Sequence, residues 1–205
     1  MQTIAMLSNE AELVARAATE PAAFASVYEH YFQRVYKYMR YRVGDMTEAE
    51  ELTSRVFERV LTKIGNYCPE RGTFAGWLFA IAHNTVVDYL RAQKRHRLVP
   101  LEVLGETACS GTGPEDTVIH NQSREQLLTA LSSLTDRERN LIALKFSARL
   151  TNHAIAEISG LTESNVAVIL YRAMRRLRAE LDGSRKHGKH GEKHGDGSLA
   201  FPPLQ

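Results

Sequence analysis

The chain is poor in cysteine: Cys68 and Cys109 stand far apart and belong to no CxxC or Cys/His spacing. A disulfide framework needs several cysteines and a structural zinc site needs four clustered ligands, so neither is expected. Long apolar runs are also missing. No stretch approaches the ~18 consecutive apolar residues of a membrane span, and no basic segment leading into an apolar core and a small-residue cleavage site opens the chain. There is no GxSxG, HExxH, phosphate-loop or glycine-rich dinucleotide motif. His83 and Asp88 sit at helical spacing with no nucleophile beside them. These absences argue against an enzyme and predict a reducing, cytoplasmic protein that needs no cofactor or metal and does not insert into a membrane.

A strong net charge is lacking too, at +2 over 205 residues with 43% hydrophobic content, enough apolar material for one ordinary core or two small ones. The balance hides segregation. Residues 1–21 set Arg16 against Glu10, Glu12 and Glu20, and residues 98–121 carry Glu102, Glu106, Glu115 and Asp116 with no Lys or Arg. The positive charge is therefore left to the helical segments and the tail.

Apolar and aromatic residues recur at three- and four-residue steps through "AFASVYEHYFQRVYKYMRYRV", and again from Glu48 to Ile64, where Ala49, Leu52, Val56, Val60 and Ile64 form one stripe. "GNYCPERGTF" breaks the pattern as a loop, and a third helix starts near Thr73. Periodicity fades over 98–121, which reads as an acidic linker, and resumes in four short helices up to Asp182. Residues 183–205, "GSRKHGKHGEKHGDGS" and beyond, read as a disordered tail with too little apolar surface to offset its ordering entropy. The expectation is an all-α chain: an N-terminal segment, a helical domain over 22–97, a flexible linker and a second helical domain over 122–182.

In the third helix Phe74, Trp77, Leu78, Ile81, Ala82, Thr85, Val86, Tyr89 and Leu90 make a buried face, while Asn84, Asp88, Arg91 and Arg95, spaced by four, three and four, share one outward stripe. Amide, carboxylate and guanidinium groups are the kit that meets base edges and phosphates. Arg71, Lys94 and Arg97 add positive charge near this stripe. The preceding helix is acidic, with Asp45, Glu48, Glu50, Glu51 and Glu58 outnumbering Arg55 and Arg59. Such a face repels DNA and suits a basic protein partner. In the last domain Ala156, Gly160 and Val166 have the spacing of a helix-turn-helix: a small residue at the helix crossing, a turn glycine and an inward apolar residue. Its second helix would turn Ser164, Asn165, Val168, Arg172, Arg175 and Arg176 toward a major groove and its phosphates.

"AEELTSRVFERVL", "FAGWLFAIAHNTVVDYLRAQKR" and the terminal helix-turn-helix, in this order, resemble an extracytoplasmic-function (group four) sigma factor of bacterial RNA polymerase, a sigma-70 family member, over about residues 22–182. The resemblance implies transcription initiation: the acidic helix, with Asp45, Glu48, Glu50, Glu51 and Arg55, docks on the largest subunits of core polymerase. The loop Asn66–Thr73 with Asn66 and Arg71, and the stripe of Asn84, Asp88, Arg91, Lys94 and Arg95, hold the melted −10 strand of promoter DNA. The last domain reads the −35 duplex, and the linker threads toward the polymerase channel. An anti-sigma factor, or the tail with His187, His190 and His194, would regulate it. The sequence departs from the family's pattern early in the recognition helix, where no base precedes Arg172, and at Asn152 and His153. The rival reading, a dimeric helix-turn-helix regulator of duplex DNA, accounts for the last domain and leaves Trp77–Arg97 and the acidic helix without a role.

Overall fold

A computed structural model describes residues 2–97 and 129–188, and all regular structure among them is helical. Seven helices follow in order: α1 Gln2–Ala17, α2 Pro21–Val43, α3 Met46–Lys63, α4 Phe74–Arg97, α5 Asp136–Phe146, α6 Asn152–Ser159 and α7 Glu163–Gly188. Residues 129–132 complete a helical turn before α5. The expected acidic linker lies outside the described residues, as does the tail from 189 onward.

Local chemistry sets the boundaries. Pro21 starts α2, where its missing N–H costs nothing, and Gly44 ends it in a left-handed conformation (φ 81°) with its N–H on the Arg40 carbonyl. Asp45 caps α3, its carboxylate accepting from the Glu48 amide at 2.9 Å. Thr73 does the same for α4, its hydroxyl accepting from the Gly76 amide at 3.1 Å. Thr135 and Glu138 form a reciprocal capping box at the start of α5.

Helices α1–α4 form the first module around Val14, Val27, Val35, Leu52, Val56, Leu78, Ala82 and Val86, all nearly inaccessible. α5–α7 and the turn before them form the second around Leu131, Leu141, Leu144, Ile155, Val166 and Ala173. The two modules pack together, and their buried residues make one continuous apolar cluster. Two features were not anticipated from the sequence. Residues 2–17 of the N-terminal segment form a helix that lays Val14 and Ala17 against α2 and hydrogen-bonds Glu10 to the Tyr31 hydroxyl. α7 continues to Gly188, past the expected end at Asp182, because no proline interrupts it and Gly183 is tolerated in a helix at a cost of ~1 kcal/mol.

Candidate nucleic-acid interface

α4 buries the expected face: Phe74, Leu78, Ala82, Thr85 and Val86 are inaccessible, with Trp77, Ile81, Tyr89 and Leu90 partly covered. Phe79, outside that face, is fully buried as well, because α2 covers it from a second side: Tyr38 meets it edge-on at 5.8 Å and Arg34 lies over its ring at 5.7 Å. The outward stripe is present as read. Asn84, Asp88, Arg91 and Arg95 are all exposed, with Lys94 beside them.

Neighbouring helices restrain parts of this stripe. Arg59 of α3 donates to the Thr85 hydroxyl at 2.9 Å and stands 3.8 Å from the Asp88 carboxylate, tying the acidic helix to the stripe. Lys94 pairs with Asp136 of the second module at 3.2 Å. Burial raises the Asp136 carboxyl, but Lys94, Arg42 and Arg139 outweigh it and hold the group below the usual carboxylate range. Arg91 and Arg95 are exposed and turn their charge toward solvent.

The loop before α4 is two short 3₁₀ turns, Ile64–Asn66 and Pro69–Arg71. Tyr67 anchors them. Its hydroxyl donates to the Gly72 carbonyl at 3.0 Å, and its ring packs on Phe74 and Trp77 at 5.3 and 5.8 Å. Gly72, with φ 139°, occupies backbone space that side chains disfavour. Asn66 and Arg71 are exposed on this loop and line a broad groove between the modules, together with Trp77, Arg149 and His153. Arg71 and Arg95 are therefore separated by most of the length of α4, ~30 Å at a rise of ~1.5 Å per residue. The structure does not gather the −10 candidates into one pocket. It lays them along a track.

The acidic face of α3 is thinner than the sequence implies. Asp45 serves as the helix cap, and Glu48 is half-buried beside Tyr89, whose hydroxyl is pushed up by burial, by its hydrogen bond to Glu48 and by the Asp45 and Glu51 charges. Glu50, Glu51 and Glu58 remain exposed, with Glu51 paired to Arg55 at 2.5 Å.

The second module has helix-turn-helix geometry. α6 ends at Gly160, left-handed at φ 65°, whose N–H reaches the Ala156 carbonyl, and Ala156 and Val166 are buried where the two helices cross. Thr162 caps α7 by accepting from the Asn165 amide at 3.3 Å. Ser164, Asn165, Val168, Arg172, Arg175 and Arg176 are exposed along its outer face. Arg176 is the exception in availability, since it donates to Glu138 at 2.8 Å. Burial raises the Glu138 carboxyl, yet the hydrogen bonds from Thr135 and the Arg176 charge hold it below its usual value.

Two family descriptions match this chain: Sigma-70 region 2 over residues 27–96 and Sigma-70, region 4 over residues 130–179. The chain belongs to the sigma-70 family. The ECF RNA polymerase sigma factor BldN of Streptomyces coelicolor is 35% identical over 168 residues, covering 81% of this chain and 63% of BldN, so this sigma factor spans less than two thirds of BldN's length. The ECF RNA polymerase sigma factor SigW of Bacillus subtilis is 27% identical over 167 residues, covering 78% and 89% of the two chains. Both relatives carry the ECF designation in their names. The fold recurs in CnrH, solved in complex with the cytosolic domain of CnrY, at TM-score 0.62 and 22% identity over 83% of this chain and 96% of the matched one. It recurs also in the sigma factor RpoE of Bartonella quintana, solved in complex with the anti-sigma factor NepR, at TM-score 0.65 and 18% identity over 78% and 96%. The region 2 match spans every −10 and polymerase candidate of this sigma factor, and the region 4 match every −35 candidate. Among the described residues no helix is long and apolar enough to cross a membrane.

Proposed function

We propose that this sigma factor binds core RNA polymerase and directs it to promoters, acting as a specificity subunit without catalysis of its own, in the cytoplasm where transcription takes place. The observation that carries the reading is the pair of opposite faces in one module: exposed Glu50, Glu51 and Glu58 on α3, and exposed Asn84, Arg91 and Arg95 on α4. The acidic face meets basic surface of the largest polymerase subunits. The basic track receives single-stranded DNA, which is held by phosphate neutralisation and by readout of unstacked bases. Melting is favoured because the track binds only the separated strand. Extruding a base costs a few kcal/mol, which contacts along the track offset.

α7 reads the −35 duplex. With Ser164, Asn165 and Val168 at its exposed start and the first base at Arg172, polar and apolar edge contacts come first and phosphate contacts follow. Arg172 and Arg175 carry the phosphate role, and Arg176 joins them on leaving Glu138. For a regulatory partner we assign the groove lined by Tyr31, Asn66, Trp77, Arg149, His153 and Ile158, because it takes residues from both modules. A protein segment seated there would hold the modules together, as suits an anti-sigma factor.

The test is run-off transcription with purified core polymerase and genomic DNA, followed by mapping of start sites. Defined starts that require the protein are expected. A folded protein that neither binds core polymerase nor yields defined starts overturns the reading, and tight binding to a palindromic duplex without polymerase would favour the rival regulator.

A further inference from the structure

His83, Val87, Leu90, Arg91 and Lys94 step along α4 by four, three, one and three residues, so they share one face of the helix. Arg137, Asn140 and Leu141 do the same on α5. These faces and Arg42 of α2 enclose a cleft of about 310 Å³, at the small end of the volumes that hold small molecules. Its lining is of two kinds. Val87, Leu90 and Leu141 are apolar, whereas Arg42, Arg91, Lys94 and Arg137 are cationic.

The charges do not balance. Asp136 is the single carboxylate among the described lining residues, and it is already shared, with Lys94 at 3.2 Å and Arg139 at 3.8 Å. Arg42 makes the excess costly. It is only 5% exposed, its guanidinium donates to the Asp136 carbonyl at 2.9 Å, and its Nε has no hydrogen-bond partner among the described residues. A buried cation with no carboxylate of its own is disfavoured, and a cleft dominated by one sign of charge concentrates the opposite sign from solution. Arg91 and Arg137, both exposed, stand at the mouth with guanidinium groups that meet phosphate oxygens two at a time. A multivalent phosphoryl anion satisfies this set. A bare inorganic anion would leave the half-buried Val87 and Leu90 in contact with water, while a nucleobase would cover them.

We propose that this cleft binds a nucleoside di- or triphosphate, its phosphates on Arg91, Lys94 and Arg137 and its base against Val87 and Leu90. Arg42 adds positive potential from beneath. Arg91 and Lys94 also belong to the promoter track, whereas Arg42 and Arg137 do not, so Arg137 is the residue that separates the two sites. The proposal goes beyond the promoter-binding reading and does not depend on it, because binding is read on the protein alone.

The experiment is isothermal titration calorimetry of the full chain with ATP, GTP and pyrophosphate, at low salt and without divalent cations. Saturable binding at one site per chain is expected, with at least one nucleotide about tenfold tighter than pyrophosphate because the base covers apolar surface. Arg137→Ala should weaken nucleotide binding about tenfold and Arg91→Ala/Arg137→Ala about a hundredfold, since each lost charge-assisted hydrogen bond counts about tenfold. Lys37→Ala/Lys63→Ala removes two exposed cations far from the cleft lining and should leave the affinity unchanged. A saturating nucleotide should also raise the melting temperature of the unsubstituted protein, and less so that of Arg137→Ala. Any of four results overturns the proposal: no saturable nucleotide binding, pyrophosphate binding as tight as either nucleotide, unchanged affinity in folded Arg137→Ala, or equal weakening in Lys37→Ala/Lys63→Ala. A protein that binds nucleotide here yet directs no polymerase would overturn the promoter reading and leave this site standing.

Discussion

Gly160 carries the helix-turn-helix at the scale of a single residue. Its φ of 65° is the reason for glycine, because a Cβ built there meets nothing within 4 Å. Gly160→Ala should therefore cost only backbone strain, about 1 kcal/mol, and lower the melting temperature by a few degrees in thermal circular dichroism without changing the start sites chosen. His83 supports a pH prediction. Asn140 Oδ1 only accepts, so the His83 Nδ1 facing it at 3.3 Å carries the hydrogen. Burial is the main reason its pKa lies below the ordinary value, with the Arg42 and Arg91 charges adding to it against the opposing Asn140 hydrogen bond. The cleft around it presents Arg42 from α2, Arg91 and Lys94 from α4, and Asp136 and Arg137 from α5, so positive charge predominates. The folded state then binds fewer protons at His83 than the unfolded chain. It is fully supported above the ordinary histidine value of 6.5 and loses that support as pH falls through it toward the lowered pKa. The melting temperature should drop on acidification below neutrality, and His83→Gln should flatten the response.

At the scale of elements, the proposed function divides the work between adjacent helices. Removing Arg91 and Arg95 together should weaken open-complex formation and reduce its salt dependence by about one phosphate contact per arginine, leaving core-polymerase affinity in place. Permanganate footprinting over a salt series checks this. Glu50→Lys with Glu51→Lys should do the converse, lowering core-polymerase affinity in a pull-down or titration. Equal loss of core binding in both folded variants would remove the division. Lys94 is paired with Asp136 of the second module, so its removal would also disturb the packing between the modules.

For the whole molecule, stability is shared between modules. Tyr38 and Arg42 of the first module hydrogen-bond to Asn140 and to the Asp136 carbonyl of the second. A fragment of residues 1–97 should stay helical yet melt below the full chain, by about 4–8 °C for each kcal/mol of lost contact in a module of this size. Differential scanning calorimetry of fragment and full chain measures the difference, and equal melting temperatures would mean that the interface contributes nothing.

The helices, the buried side of α4, the exposed stripe and the turn at Gly160 were legible in the sequence because each is written in local terms: a period of 3.6 residues, a capping side chain, a glycine where the backbone turns left-handed. So was the segregation of charge between α3 and α4. The helix over residues 2–17 was missed because the sequence reading there followed charge and not apolar spacing, although Val14 and Ala17 pack on α2, and the burial of Phe79 because its neighbours Tyr38 and Arg34 lie some forty residues away. Arg34, Tyr38 and Arg42 carry no motif in the sequence and find their partners only in the second module. Which exposed-looking groups are already engaged, Lys94 by Asp136 and Arg176 by Glu138, was decided only by the tertiary structure. Periodicity and charge are properties of a segment, whereas a partner is supplied by whatever chain the fold brings within hydrogen-bonding distance.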